Sequence, residues 1–299
     1  MINKNEQQYL NLLKELVDLS DNVDPASNRT DVNAYEVFGR TLEFDLSDNK
    51  IPLLTTKKIN YNHIIHELIW MFIIKNETTS YLEHYNIKIW DNWKVKIKGT
   101  EDYSIGEMYG QILRNFKYDY MNKESDLNVD QLSQVINLLK TNPQTRRAVF
   151  TLLDPRAVAN ENETFESNFE SGKGVLNACH GNINQFNINS DGNLEFITYQ
   201  RSADVFLGLP YNITFYSVFC HMVASILGRK CTKIIYNLGN THLYENCLQQ
   251  AKIQLERTPY SSPTLILNSE VKEFDDYTIN DFSVLGYESH PFIKAQVAV

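Results

Sequence analysis

A stretch of mostly apolar residues in the C-terminal half constrains the fold of this chain more than any other feature. It runs from Ile213 to Gly228, 16 residues, whereas a helix that crosses a membrane needs about 20. A helix that is apolar on all its faces is stable inside a protein core. The pattern therefore predicts a buried helix over residues 212–228, and 299 residues allow one large domain or two small ones around it.

The rest of the chain mixes helical and strand patterns, with no internal repeat and no linker. The spacing of apolar residues predicts helices over residues 9–19, 61–74, 130–140 and 243–255, and strands over 147–153 and 231–238. Residues 35–46 indicate one bent strand or a strand pair, and residues 183–200 indicate a hairpin. Loops are expected at 20–34, 115–128 and 155–175. Because strands and helices do not alternate as βαβ units, we expect an α+β fold in a single domain over residues 1–299.

Charge and cysteine content narrow the class of function. The formal net charge is −9 at pH 7, which disfavours general nucleic-acid binding because phosphate requires clustered Lys and Arg. Local basic groups can still bind a small anion. The cysteines, Cys179, Cys220, Cys231 and Cys247, have no CxxC spacing, so we expect reduced thiols in a cytoplasmic protein. We see no signal-peptide pattern, no metal-ligand cluster and no phosphate-binding glycine loop.

Six short strings carry the chemical information. They are Ile65-His66-Glu67-Leu68, Ile89-Trp90-Asp91-Asn92-Trp93, Asn142-Pro143-Gln144-Thr145-Arg146-Arg147, Ala178-Cys179-His180, the run from Gln200 to Asn212 (QRSADVFLGLPYN), and Gly239-Asn240-Thr241-His242-Leu243-Tyr244. In this order they resemble the thymidylate synthase superfamily, which also contains nucleotide hydroxymethylases. The resemblance covers about Arg29 to Val299, including an apolar C-terminal tail. It implies a large twisted mixed β-sheet packed with helices, and a homodimer whose sheets pack against each other.

The resemblance implies covalent catalysis by a thiolate. C5 of uracil is a poor nucleophile, and addition of a thiolate at C6 makes it reactive. Cys179 matches the nucleophile, and Arg201 matches the cation that supports it. The other three cysteines are expected to be buried packing residues.

The expected substrate is a nucleoside monophosphate, whose dianion suits several guanidinium groups. The resemblance assigns its binding to Arg29, Gln200, Arg201 and Ser202 of one subunit, and to Arg146 and Arg147 of the partner subunit.

Asn212 bears on the identity of the base. A neutral carboxamide offers both a donor and an acceptor, which matches O4 and N3 of uracil, whereas cytosine would suit a carboxylate. Asn212 therefore favours deoxyuridylate (dUMP) over deoxycytidylate (dCMP). It can also serve as the N-cap of a helix that begins at Ile213.

The remaining matches concern the sugar, proton transfer and the folate. His242 and Tyr244 match the pair that binds the 3′-hydroxyl, Glu67 a buried glutamate that organises water, and Tyr109 a tyrosine involved in proton removal from C5. His180 and Asp204 match residues that support the site. The expected co-substrate is 5,10-methylenetetrahydrofolate, and the residues matched to its binding are Asn60, Ile89, Trp90, Trp93, Leu176, Asp204, Gly208, Tyr211 and Ala298. Aromatic residues such as the two tryptophans are also common in cores.

Several positions depart from the family pattern, and they leave the reaction product open. They are Asn60, Ile112, Leu113, Ala178, Asn184 and Gln185, and the distance from Cys179 to Arg201 is about two residues longer than usual. Either the hairpin is longer, or a bulge redirects Gln185. Polar Asn182 and Asn184 raise the hypothesis of an ordered water, which would give a hydroxymethyl product. Retained Trp90 and the tail favour hydride transfer, hence a thymidylate synthase; a silent relative that binds nucleotide or RNA is a further alternative.

Overall fold

The structure, a computed structural model, describes residues 3–117 and 128–298. Its α-helices within these residues are α1 Lys4–Leu19, α2 Tyr61–Leu68, α3 Ser80–His84, α4 Gly110–Arg114, α5 Gln131–Thr141, α6 Phe165–Glu170, α7 Gly208–Ile226 and α8 Leu248–Leu255. Its strands are β1 Ala34–Asp45, β2 Val95–Lys96, β3 Tyr103–Ser104, β4 Phe116–Lys117, β5 Asn128–Val129, β6 Val149–Phe150, β7 Ile183–Ile188, β8 Leu194–Asp204, β9 Cys231–Tyr244, β10 Thr264–Leu267 and β11 Phe282–Leu285.

The main sheet has the strand order β1-β9-β8-β7-β6 among the described residues. β8 and β9 run parallel and the other pairs are antiparallel, so the sheet is mixed. The expected α+β architecture with a large mixed sheet packed with helices is confirmed. Residues 35–46 form one long strand rather than a pair, and β1 pairs with β9 from Ala34–Tyr244 to Asp45–Lys233 in one constant register, with a gap at Gly39.

The apolar run forms the buried helix that its composition predicts. α7 packs against the sheet and α2, and Phe72 contacts Phe215 and Phe219 edge-on, with ring centroids 5.1 and 5.0 Å apart. None of the helices in the described residues is both long and apolar enough to cross a membrane. The helix begins at Gly208, four residues earlier than expected, so Asn212 lies inside it and is not its N-cap.

The hairpin of β7 and β8 is regular. Its register runs from Ile183–Tyr199 to Ile188–Leu194 without a bulge, so no bulge within the hairpin redirects Gln185. The side chain of Gln185 donates to the carbonyl of Arg146 at 3.2 Å.

Other element boundaries differ from the sequence predictions. The strand expected over 147–153 is limited to Val149–Phe150. β9 continues to Tyr244, so the helix expected from residue 243 begins only at Leu248, after the 3₁₀ turn Glu245–Cys247. The loop expected over 155–175 contains α6, because Thr164 caps the backbone N–H of Ser167. Residues 118–127 of the other expected loop lie outside the described residues.

A buried guanidinium joins three parts of the fold. The Arg114 side chain is 3% exposed. Its Nη1 and Nη2 atoms donate to the carboxylate oxygens of Asp275 at 2.7 Å, its Nε donates to Asp130 at 3.0 Å, and Nη1 also donates to the carbonyl of Phe72 at 2.6 Å. These hydrogen bonds with two carboxylates and a carbonyl stabilise the charge of the guanidinium in a buried position that water does not reach.

We expect Arg114→Met to lower the free energy of unfolding by about 3 kcal/mol, because it leaves the Phe72 carbonyl and two carboxylates without their shared donor. Asp275→Asn, at a side chain that is 56% exposed, should lower it by less than about 1 kcal/mol. Urea denaturation followed by circular dichroism, at one fixed protein concentration, measures both. Equal losses for the two variants would contradict this account.

Candidate active site

Cys179 lies just before β7, against the hydroxyl of a buried tyrosine. The Tyr109 hydroxyl lies 3.4 Å from the Cys179 Sγ, and the backbone N–H of Cys179 donates to the same hydroxyl at 3.2 Å. Burial raises the pKa of the thiol, and the Tyr109 hydrogen bond and the charge of Arg201 only partly oppose this. The resting group is therefore a thiol held next to two groups that stabilise its thiolate.

Tyr109 is held in an unusual backbone conformation. Its φ is +44°, which is rare for a bulky residue and persists only where the surroundings enforce it. The next residue, Gly110, starts α4 so close to the π-helical turn Ile69–Ile73 that an added Cβ would lie 1.7 Å from the Met71 carbonyl oxygen. A side chain at position 110 would thus push Tyr109 away from the sulfur.

Arg201 clamps the backbone that precedes the nucleophile. Its Nε donates to the carbonyl of Ala178 at 2.9 Å and its Nη2 to the carbonyl of Asn177 at 2.7 Å. The backbone N–H of Arg201 donates to the Asn182 side chain at 2.9 Å. β8 and the Cys179 segment are therefore fixed to each other, and Nη1 of Arg201 has no hydrogen-bond partner within the described residues.

Glu67 and Trp90 form the apolar side of the site. Trp90 Nε1 donates to Glu67 Oε1 at 2.9 Å, and burial raises the pKa of this carboxyl to about 7. The Trp90 ring packs edge-on against Tyr109, with centroids 5.9 Å apart. A carboxyl with this pKa can both donate and accept a proton near neutral pH.

His180 supports the site from behind. Its ring stacks on Tyr109 with centroids 4.6 Å apart, and its Nδ1 lies 2.9 Å from the Tyr216 hydroxyl. Burial lowers the pKa of His180 to about 3, so the ring is neutral. The positive φ of Gly181 and the lack of a Cβ there allow Tyr216 to approach, since an added Cβ would lie 2.0 Å from the tyrosine hydroxyl.

A comparison with models of protein families identifies the family of this chain. The thymidylate synthase family model matches residues 7–299. The chain belongs to the thymidylate synthase family. The sequence resemblance is thereby confirmed at the level of the family, while the roles of individual residues stay predictions.

The residues that the family resemblance singled out fall into three places. Cys179, Tyr109, Arg201, Glu67 and Trp90 come together around the thiol, as described above. His242 and Tyr244 are adjacent, with ring centroids 5.0 Å apart, and Arg29 and Asp204 lie close enough to affect the pKa of Tyr244. Arg146 and Arg147 are exposed.

Further predicted substrate and folate residues border the same region. Asp204 accepts hydrogen bonds at 3.0 Å from the backbone of Phe206 and Leu207, which shapes the turn into α7. Gln200 is buried and its Oε1 has no partner in the part of the chain that the structure describes. Asn60 is exposed. The remaining predicted residues are partly buried; they are Ile89, Trp93, Leu176, Ser202, Gly208, Tyr211, Asn212 and Ala298.

Sequence reasoning missed Lys57. Its buried ammonium donates to the carbonyl of Phe206 and lies 3.6 Å above the Phe206 ring. Burial lowers its pKa to about 7, and the carboxylate of Asp204 only partly opposes this. A lysine in the polar string Thr55-Thr56-Lys57-Lys58 carries no sign of burial, so only the fold reveals it.

We expect iodoacetamide to alkylate Cys179 selectively, because the other three cysteines are buried. Since the pKa of the Cys179 thiol is raised, its alkylation rate should be lower than that of an exposed cysteine at pH 7, and should keep rising above the usual thiol range. Mass spectrometry of the peptides at a series of pH values measures this. Fast alkylation at pH 6, or labelling that persists in Cys179→Ser, would contradict it.

Proposed function

We propose that this protein is a thymidylate synthase, which converts dUMP to dTMP with 5,10-methylenetetrahydrofolate. The observation that carries the proposal is the placement of the Cys179 sulfur against the Tyr109 hydroxyl, on a backbone clamped by Arg201. A half-buried thiol beside a hydroxyl and a guanidinium is a nucleophile whose thiolate these two groups stabilise.

The reaction follows from the groups around the thiol. The Cys179 thiolate adds to C6 of the uracil, and the electron pair moves to C5, which attacks the methylene carbon of the folate as the first of that carbon's two bonds to nitrogen breaks. Loss of the C5 proton to water near Tyr109 then expels the second nitrogen, which leaves an exocyclic methylene on the base and frees tetrahydrofolate. Hydride from the tetrahydrofolate then reduces the exocyclic methylene, and release of Cys179 yields dTMP and dihydrofolate. Glu67 suits the proton movements at O4, because its pKa is about 7.

The phosphate site requires a second copy of the chain. Arg29, Arg201 and Ser202 supply cationic and hydroxyl groups from one subunit. Arg146 and Arg147 are exposed here, and we propose that they complete the phosphate site of a partner subunit.

Exposed apolar groups on the sheet support such a homodimer. Phe38, Ile183 and Val149 lie on strands of the main sheet and are 81%, 60% and 46% exposed. Large apolar side chains so exposed are typical of surfaces that a partner covers.

The hydrogen bonds of Asn182 and Asn184, the two asparagines near the thiol, favour hydride transfer over water addition. Asn182 donates to the carbonyl of Ala178 at 2.9 Å and accepts from the backbone of Arg201 at 2.9 Å. Asn184 donates to the carbonyl of Gly181 at 2.6 Å and accepts from Thr198 at 2.8 Å. Because both ends of each amide are engaged by the protein, these side chains give little support to an ordered reactive water. The alternative function is a hydroxymethylase that forms 5-hydroxymethyl-deoxyuridylate from dUMP, with dCMP as the less favoured substrate.

We expect the enzyme to produce one dihydrofolate for each dTMP when supplied with dUMP and 5,10-methylenetetrahydrofolate. Absorbance follows the dihydrofolate, and mass spectrometry distinguishes a methyl from a hydroxymethyl product. Cys179→Ser should abolish turnover because the oxygen is a far weaker nucleophile at neutral pH. A hydroxymethyl nucleotide without dihydrofolate would establish the alternative function, and full turnover by Cys179→Ser would exclude the covalent mechanism.

Asn212→Asp should change the preferred base. A carboxylate cannot donate to O4 of uracil, so kcat/KM for dUMP should fall by about tenfold to a hundredfold, the range for one unpaired buried polar group. Binding of dCMP should improve, because its amino group can donate to the carboxylate. Initial rates and equilibrium binding with both nucleotides measure the change, and Asn237→Asp, on β9, is a matched control. An unchanged preference would remove Asn212 from base recognition.

A further inference from the structure

A chain of two hydrogen bonds runs from the edge strand β1 to His242. Asn240 Nδ2 donates to Glu36 Oε2 at 2.8 Å, and Asn240 Oδ1 lies 2.8 Å from His242 Nδ1. The strand register brings the three residues together, because Glu36 is opposite His242 and Asn240 precedes His242 by two residues on the same strand. Neither Glu36 nor Asn240 was among the residues predicted from the sequence.

We call the hydrogen-bonded series Glu36–Asn240–His242 the relay. The donors and acceptors of its three side chains determine where its protons lie. An ionised carboxylate has only acceptors, so the amide group that faces Glu36 must be the Nδ2 donor of Asn240. The other end of the amide, Oδ1, is then an acceptor that faces His242. The nearby ring nitrogen, Nδ1, must therefore carry a hydrogen to form the second bond.

The ring of His242 carries one proton at neutral pH. Burial lowers its pKa, although the carboxylates of Asp204 and Glu36 oppose this. If that proton is on Nδ1, then Nε2 presents a bare lone pair. Nε2 has no hydrogen-bond partner among the residues that the structure describes, so it is available to a ligand.

We propose that Glu36 and Asn240 are positioning residues that fix His242 in the Nδ1–H form, and that the site thereby selects a nucleotide whose 3′ group donates a hydrogen bond. This rests on the proposed function for the placement of the sugar beside His242 and Tyr244. A 3′-hydroxyl satisfies the lone pair of Nε2. A nucleotide with a 3′ group that lacks a hydrogen leaves that lone pair unpaired in a buried position, which disfavours its binding.

The location of the proton can be measured without any substrate. In protein labelled with ¹⁵N-histidine, NMR distinguishes a protonated ring nitrogen from a bare one, and His242→Asn identifies the signals of His242. We expect the unliganded protein to have Nδ1 protonated and Nε2 bare. A protonated Nε2 in the unaltered protein would overturn the proposal.

A charge reversal at the start of the relay tests its direction. Glu36→Lys offers only donors, so Asn240 should turn its oxygen toward Lys and its amino group toward His242. The proton of His242 should then move to Nε2. Asn240→Leu removes the relay altogether and should leave the proton no longer held on Nδ1. Glu270→Lys, in the exposed loop after β10, is the matched control for the change in charge. A proton location that responds to neither relay variant would also overturn the proposal.

The consequence for specificity is tested with two nucleotides. We expect the unaltered enzyme to prefer dUMP over 3′-fluoro-2′,3′-dideoxyuridylate by about tenfold in kcat/KM, the factor for one lost hydrogen bond. Glu36→Lys and Asn240→Leu should reduce this preference to about twofold or less, because Nε2 is then no longer a fixed acceptor. The KM for the folate should stay unchanged, which a general loss of structure would not allow.

The outcomes separate this inference from the proposed function. If the unaltered protein neither binds nor converts dUMP, the proposed function fails, while the NMR experiment still decides the state of His242. If dUMP is converted and the two variants keep the full preference against the fluoro nucleotide, the specificity role of the relay is wrong.

Discussion

The attachment of β8 to the segment before Cys179 is the constraint on which the site depends. Arg201 donates from its guanidinium to two consecutive carbonyls, those of Asn177 and Ala178, and from its backbone to Asn182. These bonds fix the sulfur relative to the main sheet and at the same time hold a positive charge beside it. The same residue therefore supplies both the geometry and part of the electrostatic stabilisation of the nucleophile.

Exclusion of water governs the protonation of the groups around the thiol. Burial raises the pKa of Cys179 and of Glu67 and lowers that of His180; away from the thiol, beside Phe206, it also lowers that of Lys57. In each case the charged form is disfavoured because too few opposite charges or hydrogen bonds replace the lost water. The unliganded site thus holds mostly neutral groups, and one of them, Glu67, has a pKa of about 7, where small changes on binding can move a proton.

The elements that the sequence predicted well are those whose packing is visible in their own periodicity. The apolar run became the buried α7, and the alternating residues 35–46 became β1, since apolar periodicity directly reflects which face is buried. The errors fall where boundaries depend on neighbours. α7 begins at Gly208 because Asp204 caps the preceding turn, and β9 continues to Tyr244 because β1 pairs with it as far as the Ala34–Tyr244 pair.

The sequence by itself determined the family and the types of side chain at each expected position, and it predicted the nucleophile, because these depend on the order of chemically specific residues. Only the tertiary structure decided how those side chains act on one another. Tyr109 and Cys179 are 70 residues apart, and Asn240 and Glu36 are 204 apart, so their contacts exist only once the sheet register is set. The burial of Lys57 against Phe206, and the proton that we propose on His242, likewise depend on the fold, because desolvation and hydrogen-bond direction are properties of the folded surroundings rather than of a residue type.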